Sequence, residues 1–402
     1  MSVDVQREDA QRGDTHRDES RPAGVLSAAT AHGAAEPDDE HAGVVVDDSV
    51  RRIVILRLGS LGDTLVALPS YHLIAQAFPR AERRLLTNVP VVSRAPAAAA
   101  ILGDSGLVHG YESYPVGTRN PLRLLGLLWR LRRFRPDVAI YLKAETGEQN
   151  SKRDRRFLQW TGARRIVGVS ATGETAALRL ENGDWEPEVE RLLRSLRDLG
   201  RLDAASGESW DLRLTPAEVE RADAVRAPLA SAPFFAASIG TKVQSKDWGV
   251  RNWADLLREV AGRYPGHGLL LAGANEERGS SDAVAEAWAG VAGAGPVVNV
   301  CGDLTPRESA AAFRGARAFL GHDSGPMHLA AAVGTPVVAI FAARNLPRTW
   351  FPYGAQSRVL YHRVDCAGCG LETCLEQRKK CLLSITVAEV AEALRELLEG
   401  AA

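Results

Sequence analysis

At 402 residues, 45% of them hydrophobic and 25% charged, the chain is too long for one ordinary core and too apolar to be disordered throughout, so two or three globular domains are expected. It holds no run of about 18 apolar residues, and no basic segment followed by an apolar one opens it, which argues against a spanning helix or a secretory leader and for the cytoplasm. The net charge of −1 hides an asymmetry: twelve acidic residues and four arginines give residues 1–49 a net −8, leaving +7 for the rest.

In chain order, residues 1–49 come first, an acidic tail rich in Gly, Ala and Asp and without aromatics. Such a segment buries too little to offset its ordering entropy and is expected to be disordered. The basic remainder fits an anionic partner (a nucleotide, a phosphorylated glycolipid, a membrane face) as well as ordinary scatter, and no nucleic acid is expected. Residues 51–58 form a nearly continuous apolar run, as buried parallel strands do. A glycine turn at 59–63 and an apolar-periodic helix over 64–77 follow, the opening of an α/β domain. Strands at 85–88, 137–143 and 165–169 alternate with helices at 121–134 and 151–161, and a helix over 186–200 closes or connects this half. A second series places strands at 234–239, 268–272, 297–300, 318–321 and 337–341 between helices at 252–263, 280–292, 306–315 and 326–333. The last helix, 386–399, opens with Thr386 and Glu389 in capping-box spacing. The pattern predicts two doubly wound domains, 50–215 and 216–402, around a cleft, with the final helix either in the second domain or packed back on the first. Ligands of such sheets bind at the carboxyl ends of the strands.

Four loops at those ends carry chemistry. Gly59-Ser60-Leu61-Gly62-Asp63 lacks the glycines of a dinucleotide fingerprint and the Gly-Lys-Ser/Thr of a P-loop. Its Asp63 reads either as a helix cap or as a general base facing the cleft. Asp323-Ser324-Gly325-Pro326-Met327-His328 opens an Ala-rich helix, where unpaired N–H groups favour an anion such as a pyrophosphate. His328 is either a donor to that anion or a structural histidine. Thr241 to Trp248 holds two of only six lysines in the chain, and Lys246 reads as a partner for a leaving phosphate or as a solvated loop residue. Gly273 to Glu277 offers a carboxylate to sugar or ribose hydroxyls, or a cap to the next helix.

Taken in order, Gly59–Asp63 with Pro69, Lys246-x-Trp248, Gly273–Glu277, Asp323–His328, 336–341 and a late cysteine cluster resemble glycosyltransferase family 9, the ADP-heptose:acceptor heptosyltransferases, over residues 51–400. The resemblance implies a GT-B fold, that is, two doubly wound Rossmann-like domains facing a central cleft. It also implies an ADP-activated heptose donor, inversion at the anomeric carbon and catalysis without a metal or other cofactor. Asp63 then matches the proposed base. Thr241 and Lys246 match donor-phosphate contacts, and Glu276, or Glu277 one residue on, matches a carboxylate at the ribose. Asp323 matches a sugar- or phosphate-facing acid, and Ser324, Gly325 and His328 the diphosphate-binding helix start. Arg57, Gly62 and Lys143 are assigned to the acceptor side. Val66 stands where many members carry histidine, and Phe341-Ala342-Ala343-Arg344 where many carry Phe-Gly-Pro-Thr. These departures bear on the acceptor, which the resemblance makes a lipopolysaccharide-core glycolipid, with a cell-wall glycan or a small secondary metabolite as alternatives. A non-catalytic nucleotide-sugar-binding protein is the reading from another class.

Two features stand apart. Residues 119–135 mix Leu and Trp with six arginines, and read either as a helix packed on the sheet with a wet basic side or as a contact with an anionic membrane or acceptor. Arg153, Arg155 and Arg156 are similar. Cys366, Cys369, Cys374 and Cys381 fit a structural zinc site, reduced loop packing or a labile disulfide, and in each case are expected to lie outside the transfer chemistry.

Overall fold

The computed structural model describes residues 24–27, 43–89, 98–115, 120–143, 148–169, 176–181, 183–229, 232–353 and 356–400. A first strand, β1 (Gly24–Ser27), precedes an α/β series: β2 (Arg52–Leu56), α1 (Leu61–Val66), α2 (Leu68–Ala77), β3 (Glu82–Asn88), α3 (Ala98–Leu102), β4 (Gly110–Tyr114), α4 (Pro121–Phe134), β5 (Val138–Tyr141), α5 (Glu148–Trp160), β6 (Arg165–Val167) and α6 (Glu188–Ser195). The second series runs α7 (Pro216–Arg226), β7 (Phe234–Ser238), α8 (Val250–Arg263), β8 (Gly268–Leu271), α9 (Arg278–Ala289), β9 (Val297–Asn299), α10 (Pro306–Phe313), β10 (Phe319–His322), α11 (Gly325–Ala332), β11 (Val337–Phe341), β12 (Ser357–Tyr361), α12 (Lys380–Leu383) and α13 (Val387–Glu399).

The strands form two sheets, one ordered β4-β3-β2-β5-β6 and one ordered β1-β12-β11-β10-β7-β8-β9. Every pairing is parallel except that of β1 with β12. In the first sheet the order reverses at β2, in the second beside β7. These are the switch points where crevices open at the carboxyl ends. Ile53–Leu56 and all of β7 are buried, as strands covered by helices on both faces must be.

The helix expected over 64–77 begins earlier and breaks in two. Ser60 caps α1, and Ala67 ends it while opening α2, whose first turn contains Pro69. Proline lacks the N–H to continue the first helix and its ring crowds the preceding turn, so a break falls just before it. The expectation that residues 1–49 are unstructured is corrected at two places. β1 adds an antiparallel edge strand to β12, and Val45 N–H donates to the Leu199 carbonyl at 2.9 Å. Both use backbone hydrogen bonds, which a compositional argument about apolar side chains does not weigh. The final helix packs in the second half. It lies on β11, β12 and α8, where Val390, Leu394 and Leu397 join the core of the second sheet's outer face.

A single apolar cluster runs from α1, α2 and β2 through Ile101 and Leu102 to Phe313, Met327 and Phe341, so the two halves share a core. Arg307 of α10 crosses the same boundary. Its side chain is 3% exposed. It pairs with Glu218 at 2.5 Å and donates to the carbonyls of Ile101 at 3.1 Å, Leu212 at 3.0 Å and Arg213 at 2.9 Å. Removing a buried charge that satisfies several acceptors strands all of them. Arg307→Ala is therefore expected to destabilise the folded chain by about 3–5 kcal/mol. Thermal melting checks this, and an unchanged midpoint would show that the halves do not depend on this link.

Candidate functional site

The loop after β2 sets the first part of the site. Gly59 has φ 139°, and a Cβ there would lie 2.3 Å from the Asp63 side chain, so only glycine lets the loop fold back on the aspartate. Asp63 is the third residue of α1. Its Oδ2 accepts from Ser60 N at 2.7 Å and Ser60 Oγ at 2.9 Å. The capping reading is therefore correct as geometry. It occupies one carboxylate oxygen. The other, Oδ1, stands 4.0 Å from Arg57 Nη2, and the side chain is 28% exposed.

Arg57 does not reach the acceptor side as expected. It is 2% exposed and its donors are spent inside. Nε and Nη2 give to the Asp63 carbonyl at 3.1 and 2.8 Å, and Nη1 gives to the Leu142 carbonyl at 2.5 Å and to Glu188 Oε1 at 3.1 Å. Glu188 also accepts from Arg191 Nε at 2.6 Å and Nη2 at 2.9 Å. Burial alone would raise the Glu188 pKa, but the hydrogen bonds and charges of Arg191 and Arg57 outweigh it and hold the carboxyl below its ordinary range. Arg57 is thus a positioning residue for the base of α1. Neither Glu188 nor Arg191 stood out in the sequence, where an i,i+3 Glu–Arg pair reads as an exposed helix face.

Gly62 is half-buried and faces the second half of the chain. A Cβ on it would lie 3.2 Å from the His328 ring, and one on Gly325 would lie 2.2 Å from Leu61 Cδ2. The first turns of α1 and α11 therefore press together across the cleft, with a glycine on each side allowing the approach. This contact brings Asp63 and the Ser324–His328 helix start into one site. The buried Ser324 Oγ has no hydrogen-bond partner among the described residues.

Lys246 meets the same helix start. Its Nζ lies 2.7 Å from Asp323 Oδ2 and 3.0 Å from the Asp323 carbonyl. Asn345 Nδ2 reaches the same Oδ2 at 3.3 Å, a partner with no sequence signal because it lies 22 residues further on in a loop. The lysine loop is pinned from beneath by His322, whose Nε2 accepts from Trp248 N and Trp253 Nε1, both at 3.2 Å. Within the loop, Thr241 Oγ1 accepts from Val243 N at 3.3 Å.

Of the two carboxylates after β8, Glu277 is the one turned inward and Glu276 is exposed, which shifts the expectation by one residue. A Cβ on Gly240 would lie 1.9 Å from Glu277 Cδ, and one on Gly273 would lie 2.2 Å from its Oε2. Burial raises the Glu277 pKa, against the opposing pull of the Ala274 N–H and Lys242. On the opposite side of the cleft, Lys143 follows β5 and pairs with Asp154 at 2.8 Å.

The cysteine segment is not remote from this chemistry. Ser245 N donates to the Glu372 carbonyl at 3.0 Å and Ser245 Oγ to the Leu371 carbonyl at 2.6 Å. Cys374 N donates to Gln244 Oε1 at 3.0 Å. The segment therefore braces the Lys246 loop. All four thiols are free, and among the described residues no group of three or more His, Cys, Asp or Glu is arranged to hold a metal ion.

His322 and His328 are both pulled from an ordinary 6.5 to about 4, chiefly by burial. Between those values the unfolded chain binds a proton at each site that the folded chain refuses. Their contribution to stability is therefore complete above about pH 6.5 and is lost as pH falls towards about 4. Melting temperature is expected to drop through that window, and less steeply in His328→Gln. Equal declines in parent and variant would place the titration elsewhere.

The sequence model of glycosyltransferase family 9 (heptosyltransferase) matches residues 160–380. Lipooligosaccharide heptosyltransferase 2 of Campylobacter jejuni is 27% identical over 104 residues, which span 26% of this chain and only 33% of that protein. Among solved structures, the glycosyl transferase family 9 protein of Veillonella parvula has TM-score 0.65 at 17% identity, covering 89% of this chain and 100% of that one. The ADP-heptose lipopolysaccharide heptosyltransferase II of E. coli has TM-score 0.58 at 17% identity, covering 87% and 99%. A second E. coli heptosyltransferase, determined with ADP, has TM-score 0.56 at 16% identity, covering 86% and 99%. At these identities the likeness is one of fold, the GT-B arrangement of two Rossmann-like domains. Because the family's sequence model matches more than half of its length, the chain belongs to glycosyltransferase family 9.

Proposed function

We propose that this chain is an inverting glycosyltransferase that moves a heptose or related sugar from an ADP-sugar to a hydroxyl of an anionic glycolipid of the lipopolysaccharide-core type. The observation that carries the reading is the contact between the first turns of α1 and α11, which sets Asp63 opposite the Lys246–Asp323 pair. Family membership and the ADP held by one E. coli protein of the same fold support the choice of donor.

In this reading Asp63 Oδ1 accepts the proton of the acceptor hydroxyl as its oxygen bonds to the anomeric carbon. The bond from that carbon to the diphosphate oxygen breaks on the opposite face, and ADP leaves with the electron pair. Lys246 and the N–H groups at the start of α11 meet the charge that develops on it. His328, neutral at physiological pH, adds a hydrogen bond without adding charge. Glu277 accepts from the ribose hydroxyls, and Lys143, at the carboxyl end of β5, meets anionic groups of the acceptor.

With ADP-heptose and a core glycolipid as substrates, Asp63→Asn is expected to slow ADP release by about 10²–10⁴-fold, and a loss under about threefold would remove Asp63 from the role. Its affinity for ADP should be kept, because the base acts on the acceptor. Lys246→Ala is expected to weaken ADP binding and slow transfer together. Calorimetric titration showing parental affinity would take Lys246 away from the diphosphate.

A further inference from the structure

The helix α4 is apolar on two opposite sides. Leu127, Leu131 and Phe134 are buried, where Leu127 and Leu131 pack on Val54, Leu86 and Ala139 of the first sheet. That side accounts for the helix being in the fold. The other side is not used by the fold. Leu122 is 77% exposed, Leu125 59% and Trp129 63%, and their spacing of three and four residues puts them on one stripe. Isolated exposed leucines are ordinary, but an aromatic and two leucines aligned away from the core are not.

The charge around the stripe is of one sign. Pro121–Phe134 holds Arg123, Arg130, Arg132 and Arg133 and no acidic residue. The Arg133 guanidinium lies 5.9 Å from the centre of the Trp129 ring, so the cation and the aromatic face the same solvent. Arg130 and Arg133 also line an open cleft of about 360 Å³ with Arg52 and Arg84, against the carboxylates of Glu82 and Glu112. Ion pairs with those carboxylates account for Arg84 and Arg130. Arg123, Arg132 and Arg133 make no ion pair among the described residues.

We propose that the outer face of α4 docks on an anionic lipid surface, with Leu122, Leu125 and Trp129 entering the headgroup–acyl boundary and the flanking arginines meeting lipid phosphates. An anionic bilayer supplies hydrocarbon for the stripe and negative charge for its rims at once. Among the described residues, no helix is long and apolar enough to cross a membrane, so the contact is peripheral. The first turn of α4 lies on the side of the sheet where β4 ends, the same edge that carries the Asp63 loop. A docked chain therefore keeps the crevice of its first half near the lipid headgroups. The inference goes beyond the transfer reaction and does not require it.

The test is flotation of the full chain with vesicles of phosphatidylcholine alone or with one third phosphatidylglycerol, at low and high salt. The full chain is expected to float with the anionic vesicles only, and to be released by salt. Leu122→Ser/Leu125→Ser/Trp129→Ser is expected to weaken that partition by about tenfold or more, while keeping the parental melting temperature and ADP affinity. Arg123→Glu/Arg132→Glu is expected to weaken it similarly. Failure of the parent to float, or parental flotation by the triple serine variant, would overturn the proposal. So would a concentration-dependent dimer of the parent that the same serines dissolve, since the stripe would then be covered by a second copy of the chain. Flotation by an enzyme that transfers no sugar would leave the docking intact and overturn only the reaction.

Discussion

The site depends on one steric constraint: the starts of α1 and α11 touch because Gly325, where a Cβ would lie 2.2 Å from Leu61, carries none, with Gly62 set close against the His328 ring. Each helix belongs to a different sheet, and each begins at a carboxyl end beside a switch point. Pressing the two starts together brings the Asp63 turn against the helix start at Ser324–His328, where Lys246 pairs with Asp323. The apolar cluster that joins the halves passes through Leu61, Leu65 and Met327, directly behind this contact. Packing in the core and geometry in the site are therefore the same interaction viewed from two sides.

Holding a loop still beside such a contact requires buried polar groups, which cost several kcal/mol per ion unless every donor and acceptor is matched. The chain meets that condition behind Asp63. Three guanidinium N–H groups converge on Glu188, and the remaining Arg57 donors close on main-chain carbonyls of Asp63 and Leu142. With Asp63 as a carboxylate, the four charges of Arg57, Arg191, Glu188 and Asp63 sum to zero. Arg307 follows the same rule at the boundary between the halves, where one guanidinium answers Glu218 and several carbonyls. In both places arginine suits the task because its fixed fork reaches several acceptors at once.

Much of this was legible in the sequence because the relevant segments are punctuated. Gly59 to Asp63 and Asp323 to His328 each lie between an apolar run and a helical pattern, so their place at a strand's carboxyl end follows from periodicity alone. The strands of the second half, each a short apolar run, were readable for the same reason. The strands at Gly110–Tyr114 and Ser357–Tyr361 were not, because they are short, carry Glu112 and Arg358, and owe their state to neighbours far along the chain. Gly24–Ser27 pairs through its backbone, which composition does not encode. At the site, the sequence carried residue types but not directions. It could not tell that Arg57 turns inward, that Glu277 rather than Glu276 faces Gly240 and Gly273, or that Glu188 is buried. The bracing of the Lys246 loop by the cysteine segment is a contact between residues more than a hundred positions apart, and no local pattern announces it.

The scarcity of lysine sharpens the reading of the two that face the cleft. Six lysines stand among 49 basic residues. At Lys246 the geometry shows how the ammonium is used. One ammonium gives a proton to Asp323 Oδ2 and another to the Asp323 main-chain carbonyl, two acceptors of the same residue that lie in different directions. The tetrahedral ammonium has a third proton that neither of these acceptors takes. Asp323 and Asn345 thus hold the lysine in position without exhausting it. In the proposed reaction, a diphosphate at the start of α11 would need no rupture of the ion pair, only occupation of the donor that the pair leaves over. Lys143 is held in a similar way by one carboxylate, Asp154. Among the described residues, each of these lysines is thus fixed by one carboxylate in a compact pair.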